Sequence, residues 1–388
     1  MTGILILNTG SSSLKFGLYR ASVEPVMLVD GQVDRIGQAA QLSIQSDAAT
    51  FDQPVAAATH SEALAVALKA LETHQEGLEI AGIGHRIVHG GLQFTKPALL
   101  TPSTVEALRK LCPMAPLHQP YNLAGVEVAR NVFPDAVQIG CFDTSFHRSH
   151  PWVNDTFALP RSFYDQGIRR YGFHGLSYDY ITGVLKRDYP DLHQGRVIVA
   201  HLGNGASMCA IKAGKSIGST MGFTALDGLP MGTRCGQLDP GVVLYMMQQN
   251  GMSPEDVNSL LYTRSGLLGL SGESSDMRSL LASDSPQAAE AIDYYVFRAR
   301  REIGAMTAVL CGLDALVFCG GIGENATVIR ERIVDGLGYL GLAVDQVKNQ
   351  ENARDIGNGA TRLMVISTDE ERIIARAVQA HLLSAPEA

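Results

Sequence analysis

Three stretches of small residues stand out as places where chemistry can be done. Asn8-Thr9-Gly10-Ser11-Ser12-Ser13 separates two apolar runs, Gly203-Asn204-Gly205-Ala206 separates two more, and Gly320-Gly321-Ile322-Gly323-Glu324-Asn325-Ala326 follows another. Turns of Gly and hydroxyl residues aim backbone N–H groups and side-chain donors at one point, which suits a phosphate. Lys15 can add a positive charge just past the first turn, and Asn8 offers a neutral oxygen to a metal or its water. Beside these loops stand two arginines (Arg86, Arg234), the histidines His118, His174 and His201, and the acids Asp143 and Glu370 at element ends. In Gly84-His85-Arg86-Ile87-Val88-His89-Gly90-Gly91, histidines and an arginine end a strand before a double glycine, which reads as a site rather than packing. Phosphoryl transfer needs this inventory: loops for a polyphosphate, a magnesium, and cations for the charge on the moving group.

Other chemistries lack their motifs. No Gly-x4-Gly-Lys-Ser/Thr loop and no zinc-type His/Cys spacing occurs. Gly321-x-Gly323-x-x-Ala326 formally fits a dinucleotide fingerprint, but it does not open a βαβ domain.

The elements that must position these residues follow from periodicity. Ile4–Leu7 and Leu14–Tyr19 read as strands around the first turn, with Leu14, Phe16 and Leu18 on one face. Val26–Val33 is a third strand, Gly37–Thr59 holds short strands at best, and Ser61–His74 is an amphipathic helix. Ile80–Val88 and Ala136–Phe142 are strands, with helices over Thr101–Leu111 and Tyr121–Asn131 between them. Asn8, Arg86 and Asp143 then all sit at carboxyl ends of strands, where active residues of α/β sheets gather. Arg196–Leu202 and Ser207–Ile211 repeat the strand, turn, strand design of the N-terminus. Two such hairpins, each opening one half, predict a duplicated α/β fold with the halves facing across a central cleft. Residues 218–240 form a long loop rich in Gly, Thr and acid, which needs a functional reason in a compact domain. Ser275 is a candidate N-cap for a helix entered by Asp276-Met277-Arg278. Ala288–Leu310 is a long helix, Leu316–Cys319 and Thr361–Ile366 are strands, and a helix starts near Thr327. Asp369-Glu370-Glu371 opens a closing helix through Leu382, where acids favour the dipole.

The 388 residues suit two domains of roughly 150–200 residues each. The boundary falls in the Pro-containing stretch 149–165, giving 1–150, joined by the C-terminal helix 369–388, and 151–368. A net charge of −8 argues against a broad nucleic-acid surface but leaves room for a nucleotide held by local cations. The six cysteines have no paired spacing and mostly apolar neighbours, so buried free thiols and a reducing compartment are expected. With no basic leader and no long apolar run, the expectation is a cytoplasmic protein without signal peptide or membrane span. Leu261–Leu270 is apolar enough to serve as core or interface.

These residues carry a resemblance. Asn-Thr-Gly-Ser-Ser-Ser-Leu-Lys at 8–15, His-Arg-Ile-Val-His-Gly-Gly at 85–91, Phe-Asp-Thr-Ser-Phe-His at 142–147 and Gly-Phe-His-Gly at 172–175 resemble the acetate kinase family. So do His-Leu-Gly-Asn-Gly at 201–205, Met-Gly-Thr-Arg-Cys-Gly at 231–236, Gly-Gly-Ile-Gly-Glu-Asn at 320–325 and Thr-Asp-Glu-Glu at 368–371. The blocks run in the family's order across nearly the whole chain. The resemblance implies the duplicated actin/Hsp70/sugar-kinase fold, a homodimer, and interconversion of acetate plus ATP with acetyl phosphate plus ADP.

It also implies roles. Asn8 and Glu370 would hold Mg2+ (or Mn2+), mostly through water, while Lys15 and His201, Leu202, Gly203, Asn204 and Gly205 would face the ATP phosphates. Asp276, Met277 and Arg278 with Gly321, Ile322, Gly323, Glu324 and Asn325 would hold the adenosine. Arg86 would bind the substrate carboxylate, and His174 and Arg234 would stabilise the transferring phosphoryl. Asp143 matches the family's proton acceptor, yet a carboxylate substrate is already ionised at neutral pH with a pKa of about 4. Positioning an arginine or a metal-bound water fits Asp143 better. Val88, Leu117 and Phe173 match a small apolar pocket for the methyl group. Where the family has a proline bordering that pocket, this chain has Ala225 in Phe223-Thr224-Ala225-Leu226-Asp227-Gly228. One methylene discriminates by only about 1–3 kcal/mol, so propionate is the alternative acid. An actin- or Hsp70-like nucleotide switch is the reading from another class, and it has no need of Arg86, His174 and Arg234.

Overall fold

The computed structural model describes residues 2–10, 12–46, 50–71 and 77–384. Ser11 of the first turn and residues 72–74 of the expected Ser61–His74 helix lie outside them, as do residues 385–388. The chain divides into two units, residues 1–145 with the segment from Asp369 onward, and Phe146–Thr368. The division falls ahead of the 150/151 boundary expected from the sequence, right after the turn that carries Asp143.

The first unit is built on the strands β1 (Thr2–Thr9), β2 (Leu14–Arg20), β3 (Val26–Asp34), β4 (Gln41–Ser46), β5 (Thr50–Pro54), β6 (Glu79–Ile87), β7 (Ala98–Leu99) and β8 (Val137–Phe142). Their order in one sheet is β5-β4-β3-β2-β1-β6-β8-β7. β1 to β5 form an antiparallel meander, whereas β1, β6 and β8 run parallel. Gly37–Thr59 contributes two short strands, β4 and β5, as its small polar residues suggested.

Alternation along β1 sends Leu5 and Leu7 to one face, where they join Leu14, Phe16 and Leu18 and the helix His60–Leu71 in one core. Ile6 points to the other face, which the helix Glu370–Ser384 covers. That helix seats closely because β6 offers no side chain there. A Cβ on Gly84 would lie 2.3 Å from Ile374 Cγ2 and 2.9 Å from Ile6 Cδ1, and one on Gly82 would lie 2.5 Å from Val378 Cγ1.

The second unit holds β9 (Arg196–Leu202), β10 (Ala206–Lys212), β11 (Lys215–Ser219), β12 (Ala315–Cys319) and β13 (Arg362–Val365), in the order β11-β10-β9-β12-β13. β9 to β11 are antiparallel, and β9, β12 and β13 are parallel. The first unit repeats this as β3-β2-β1-β6-β8, so the duplication read from the two hairpins is present in the topology. The helix Gly175–Asp188 packs Tyr178, Ile181, Val184 and Leu185 onto Val197, Val199, Val317 and Met364. The long helix Pro286–Leu310 begins at Ser285, whose hydroxyl accepts from Ala288 N with Pro286 in the first turn.

Three local readings are corrected. The Gly320–Ala326 stretch is not a loop, because Gly320–Asn325 forms a short helix, with Glu324 Oε accepting from Gly320 N at 2.8 Å. The cap before Met277–Leu281 is Asp276, not Ser275, since the Asp276 carboxylate accepts from Arg278 N. Of the six cysteines, all free, Cys311 is exposed while Cys141, Cys209 and Cys319 are buried.

Candidate active site

In the first unit the parallel strands β1, β6 and β8 end at one edge, and the chemistry collects there. Asn8 lies next to last on β1 and pairs in register with Lys15, Arg86 lies next to last on β6, and Asp143 follows β8. Asp143 N donates to Ile87 O at 3.1 Å, which fixes the residue beside Arg86. Arg86 Nε is 3.0 Å from Asp143 Oδ1 and its Nη2 is 2.7 Å from Oδ2, a bidentate pair. Glu370 Oε2 lies 3.6 Å from Arg86 Nε as well. Asp143 is buried at 1 % exposure, whereas the Arg86 side chain keeps 21 %. Burial disfavours the charged guanidinium, but Asp143 and Glu370 outweigh it and hold Arg86 above its ordinary pKa.

The histidines flanking Arg86 are interior residues, which corrects the reading of the whole 84–91 stretch as a site. His85 is buried with Nε2 2.6 Å from Gln138 Oε1, and burial lowers its pKa to about 4. His89 is fully buried, with Nδ1 accepting from Gly91 N at 2.9 Å. Val88 is buried, and its N–H donates to Asn122 Oδ1 while the Asn122 amide donates to Thr9 O. Asn122 therefore ties the ends of β1 and β6 together, a role no motif signalled. Leu117 is half-buried, and His118 starts the helix Gln119–Val132 without a side-chain cap. Lys15 is exposed.

The second unit gathers a different set. His174 adopts a left-handed conformation (φ 57°) at the N-cap of Gly175–Asp188. Its Nδ1 is 2.8 Å from Ser207 Oγ, and its ring stacks on His201 at 4.2 Å between centroids. Gly205, in the β9–β10 turn, lacks the side chain that would collide here: a Cβ would stand 3.2 Å from His174 Nε2 and 3.9 Å from Arg234 Nη2. The turn, His174 and Arg234 thus converge on one point. Leu202 and Gly203 lead into that turn, and the Asn204 side chain reaches Gly232, where a Cβ would overlap its Oδ1.

Arg234 Nη1 donates to Ala225 O at 2.9 Å, so the residue standing in the proline's place holds the arginine through its carbonyl. The Arg234 loop is pinned by close backbone approach at Gly266 (φ +63°), where a Cβ would lie 2.1 Å from Met231 O. Phe173 is buried at 1 %. His201 Nδ1 is 2.8 Å from Ser177 Oγ, which accepts from Thr368 Oγ1 at 2.8 Å.

The candidate adenosine residues form two local structures. Asp276 and Arg278 pair with each other at 2.6 Å, the Arg278 side chain being 91 % exposed, and Met277 is buried. Gly321, Ile322, Gly323, Glu324 and Asn325 form the short helix after β12, held from behind by Arg330. Arg330 is wholly buried and makes its hydrogen bonds to Gly323 O, Glu324 O, the side chain and backbone of Asn349 and the side chain of Asn352. Ser207, Ser177, Asn122 and Arg330 escaped the sequence reading because single Ser, Asn or Arg residues carry no spacing signal.

A carboxylate-gripped arginine at a strand edge of the first unit, and in the second paired histidines beside a glycine turn, are groups of the kind phosphoryl transfer uses. A family model described as the acetokinase family matches residues 3–376, and the chain belongs to that family. It is 50% identical to an acetate kinase of Methylocella silvestris over 96% of each chain, and 47% identical to one of Rhodopseudomonas palustris (strain TIE-1) over 97% of each. Among solved structures, a propionate kinase from Francisella tularensis matches with TM-score 0.91 and 35% identity, covering 98% of this chain and 100% of that one. An acetate kinase from Porphyromonas gingivalis matches with TM-score 0.87 and 34% identity over the same shares.

Proposed function

We propose that this chain phosphorylates acetate with ATP, reversibly, giving acetyl phosphate and ADP by direct in-line transfer. The observation that carries the reading is the convergence of His174 Nε2 and Arg234 Nη2 on the Gly205 turn. Donors fixed at one point can stabilise the charge that spreads over the transferring phosphoryl, and they cost no reorganisation at the moment of reaction. Arg86 gives its Nε–Nη2 edge to Asp143 and leaves Nη1 outside that pair for a substrate carboxylate. Asp143 acts as the anchor of Arg86, since the acetate oxygen attacks as a carboxylate and has no proton to lose. Val88, Leu117, Phe173 and Ala225 are the residues assigned to the methyl group. Lys15 and residues 201–205 are assigned to the ATP phosphates, and residues 276–278 and 321–325 to its adenosine.

The donor set suits a magnesium. Among the described residues no group of three or more His, Cys, Asp or Glu side chains could cage a metal. One amide (Asn8) and one carboxylate (Glu370) match an ion that keeps most of its waters and otherwise binds substrate phosphates. Mg2+ there would neutralise polyphosphate charge, Mn2+ being the substitute of similar preference.

A second copy of the chain is the proposed partner. The helix Pro240–Gln248 has nine residues, none of them buried, with Leu244 54% and Tyr245 59% exposed. An apolar helix left bare in this way suits burial against another copy. Sedimentation should give a dimer, and Leu244→Glu should shift it toward monomer. No helix among the described residues is long and apolar enough to cross a membrane, and the reading is of a cytoplasmic protein.

The test is trapping of acyl phosphate by hydroxylamine with ATP and Mg2+, acetate and propionate side by side. Acetate should give the higher kcat/KM. Propionate is the second reading, favoured by Ala225 in place of the pocket proline, and a preference for it would rename the activity. No acyl phosphate from either acid, with ATP bound, would overturn the kinase reading in favour of a nucleotide switch.

A further inference from the structure

Behind Phe173 and His174 lies a buried cluster that the transfer itself does not use. His147 and Ser216 are both fully buried, and His147 Nε2 is 2.9 Å from Phe173 O. A carbonyl only accepts, so the His147 proton sits on Nε2. With the ring neutral, Nδ1 is a lone pair, and Ser216 Oγ, 2.9 Å away, donates to it. Ser216 has one proton to give, so it accepts in its contacts with His150 Nε2 at 2.8 Å and Cys209 Sγ at 3.1 Å. His150 therefore also carries its proton on Nε2, and its buried Nδ1 has no partner. With both rings neutral, this arrangement of protons meets each of these contacts. Burial agrees, lowering His147 to about 3 and His150 to about 2.

The cluster grips a stretch where the backbone turns left-handed twice. Gly172 (φ +74°) and His174 (φ 57°) are both left-handed, and the Phe173–His174 peptide lies between them. The His147 ring occupies the space of a Gly172 side chain, since a Cβ there would lie 2.5 Å from His147 Cγ. Its other face meets Tyr178 edge-on at 5.6 Å, and the Tyr178 hydroxyl shares Ser207 Oγ with His174 Nδ1. His147 thus reaches His174 twice, through the Phe173 carbonyl and through Tyr178 and Ser207.

We propose that His147 is a positioning residue for the phosphoryl transfer: held as the Nε2–H form by Ser216 and His150, it locks the Phe173–His174 peptide and aims His174 Nε2. The inference rests on the acyl-kinase reading and on the part given there to His174.

The experiment compares kcat and the KM values of the full chain with His147→Leu, His147→Gln and Ser216→Ala in the acyl-phosphate assay. Leucine should lower kcat by about thirty-fold while KM for ATP stays within about twofold, the pattern of a lost transition-state alignment. Glutamine keeps an N–H in reach of Phe173 O and should restore about tenfold of that loss, and Ser216→Ala should fall between the two. Imidazole 15N NMR of the wild type should show His147 fixed as the Nε2–H tautomer from about pH 6 to pH 9, and Ser216→Ala should release it. A His147→Leu kcat within about threefold of wild type, or an Nδ1–H tautomer at His147, overturns the inference. If the leucine variant does not fold, an unchanged kcat in Ser216→Ala overturns it instead. A wild type that forms no acyl phosphate overturns the activity reading, whereas an active wild type with indifferent variants overturns this inference alone.

Discussion

Replacing Arg330 tests how the second unit holds its Gly320–Asn325 helix. The guanidinium donates from Nε to Asn349 Oδ1 at 2.8 Å, from Nη1 to Gly323 O at 2.9 Å and Glu324 O at 2.7 Å, and from Nη2 to Asn349 O at 3.0 Å and Asn352 Oδ1 at 2.7 Å. All of these acceptors are neutral. Burial lowers its pKa, but only to about 10, so it stays charged at neutral pH. Arg330→Met keeps much of the volume and removes every donor. The two amide oxygens can rotate toward other partners, whereas three backbone carbonyls stay in place, at about 1–3 kcal/mol for each buried group left unmet. Part of that is returned because a buried charge no longer has to be desolvated, leaving a net loss of about 3–5 kcal/mol. Urea unfolding should show this loss, and KM for ATP should rise about tenfold as Gly323 and Glu324 lose their anchor. Arg330→Lys, with a point charge and three donors, should fall between. A methionine variant within about 1 kcal/mol of wild type, with unchanged KM for ATP, would refute the idea that this arginine holds the segment.

Three further outcomes are expected. Arg86→Lys keeps the charge and loses the fork to Asp143, at about 1.5–3 kcal/mol for each charged hydrogen bond, so kcat/KM for acetate should drop about 10²–10³-fold with ATP binding unchanged by calorimetry. Gly205→Ala puts a methyl 3.2 Å from His174 Nε2, so kcat should fall about tenfold while Tm stays within about 2 °C. Burial lowers the folded pKa of His85 from 6.5 to about 4, so the unfolded chain takes up the proton first. Its contribution to stability is whole above pH 6.5 and drains away as the pH falls toward 4, by about 2 kcal/mol at pH 5. His85→Gln, which can still meet Gln138, should remove that share of the acid sensitivity in urea titrations at pH 7 and pH 5.

What was legible in the sequence is what repeats at short range. Alternation in Leu14–Leu18 marked the hairpin because Leu14, Phe16 and Leu18 share one core face while Lys15 between them is exposed. Gly-rich turns marked the β9–β10 bend, where Gly205 leaves room for His174 and Arg234. The glycines of 320–323 misled for the same reason: they look like a turn, but the distant-looking Glu324 carboxylate folds back to cap Gly320 N and makes a helix. Arg86 was found with its neighbours, yet a strand sends alternate side chains to opposite faces, so His85 and Ile87 were bound for the interior. The partners that give Arg86 and His174 their geometry, Asp143 and Ser207, lie far off in the chain. Asp143 was read because it ends a strand and lies in a block that resembles the family's, and Ser207 only as the start of a strand.

The glycine-smoothed face of β6 has a consequence for how the protein is made. Gly82 and Gly84 receive Val378 and Ile374, so the sheet of the first unit is closed by a helix encoded after the whole of the second. At translation speeds of about 5–20 residues per second, Ile6 waits roughly 20–75 s for its cover. During that interval the nascent chain presents a bare apolar sheet, the kind of surface chaperones shelter and misassembly exploits. The second unit is contiguous and complete at Thr368, before the helix that closes the first has been made. Glu370 arrives on the same late helix, which means a ribosome-bound fragment lacking it holds Arg86 without one of its two acids.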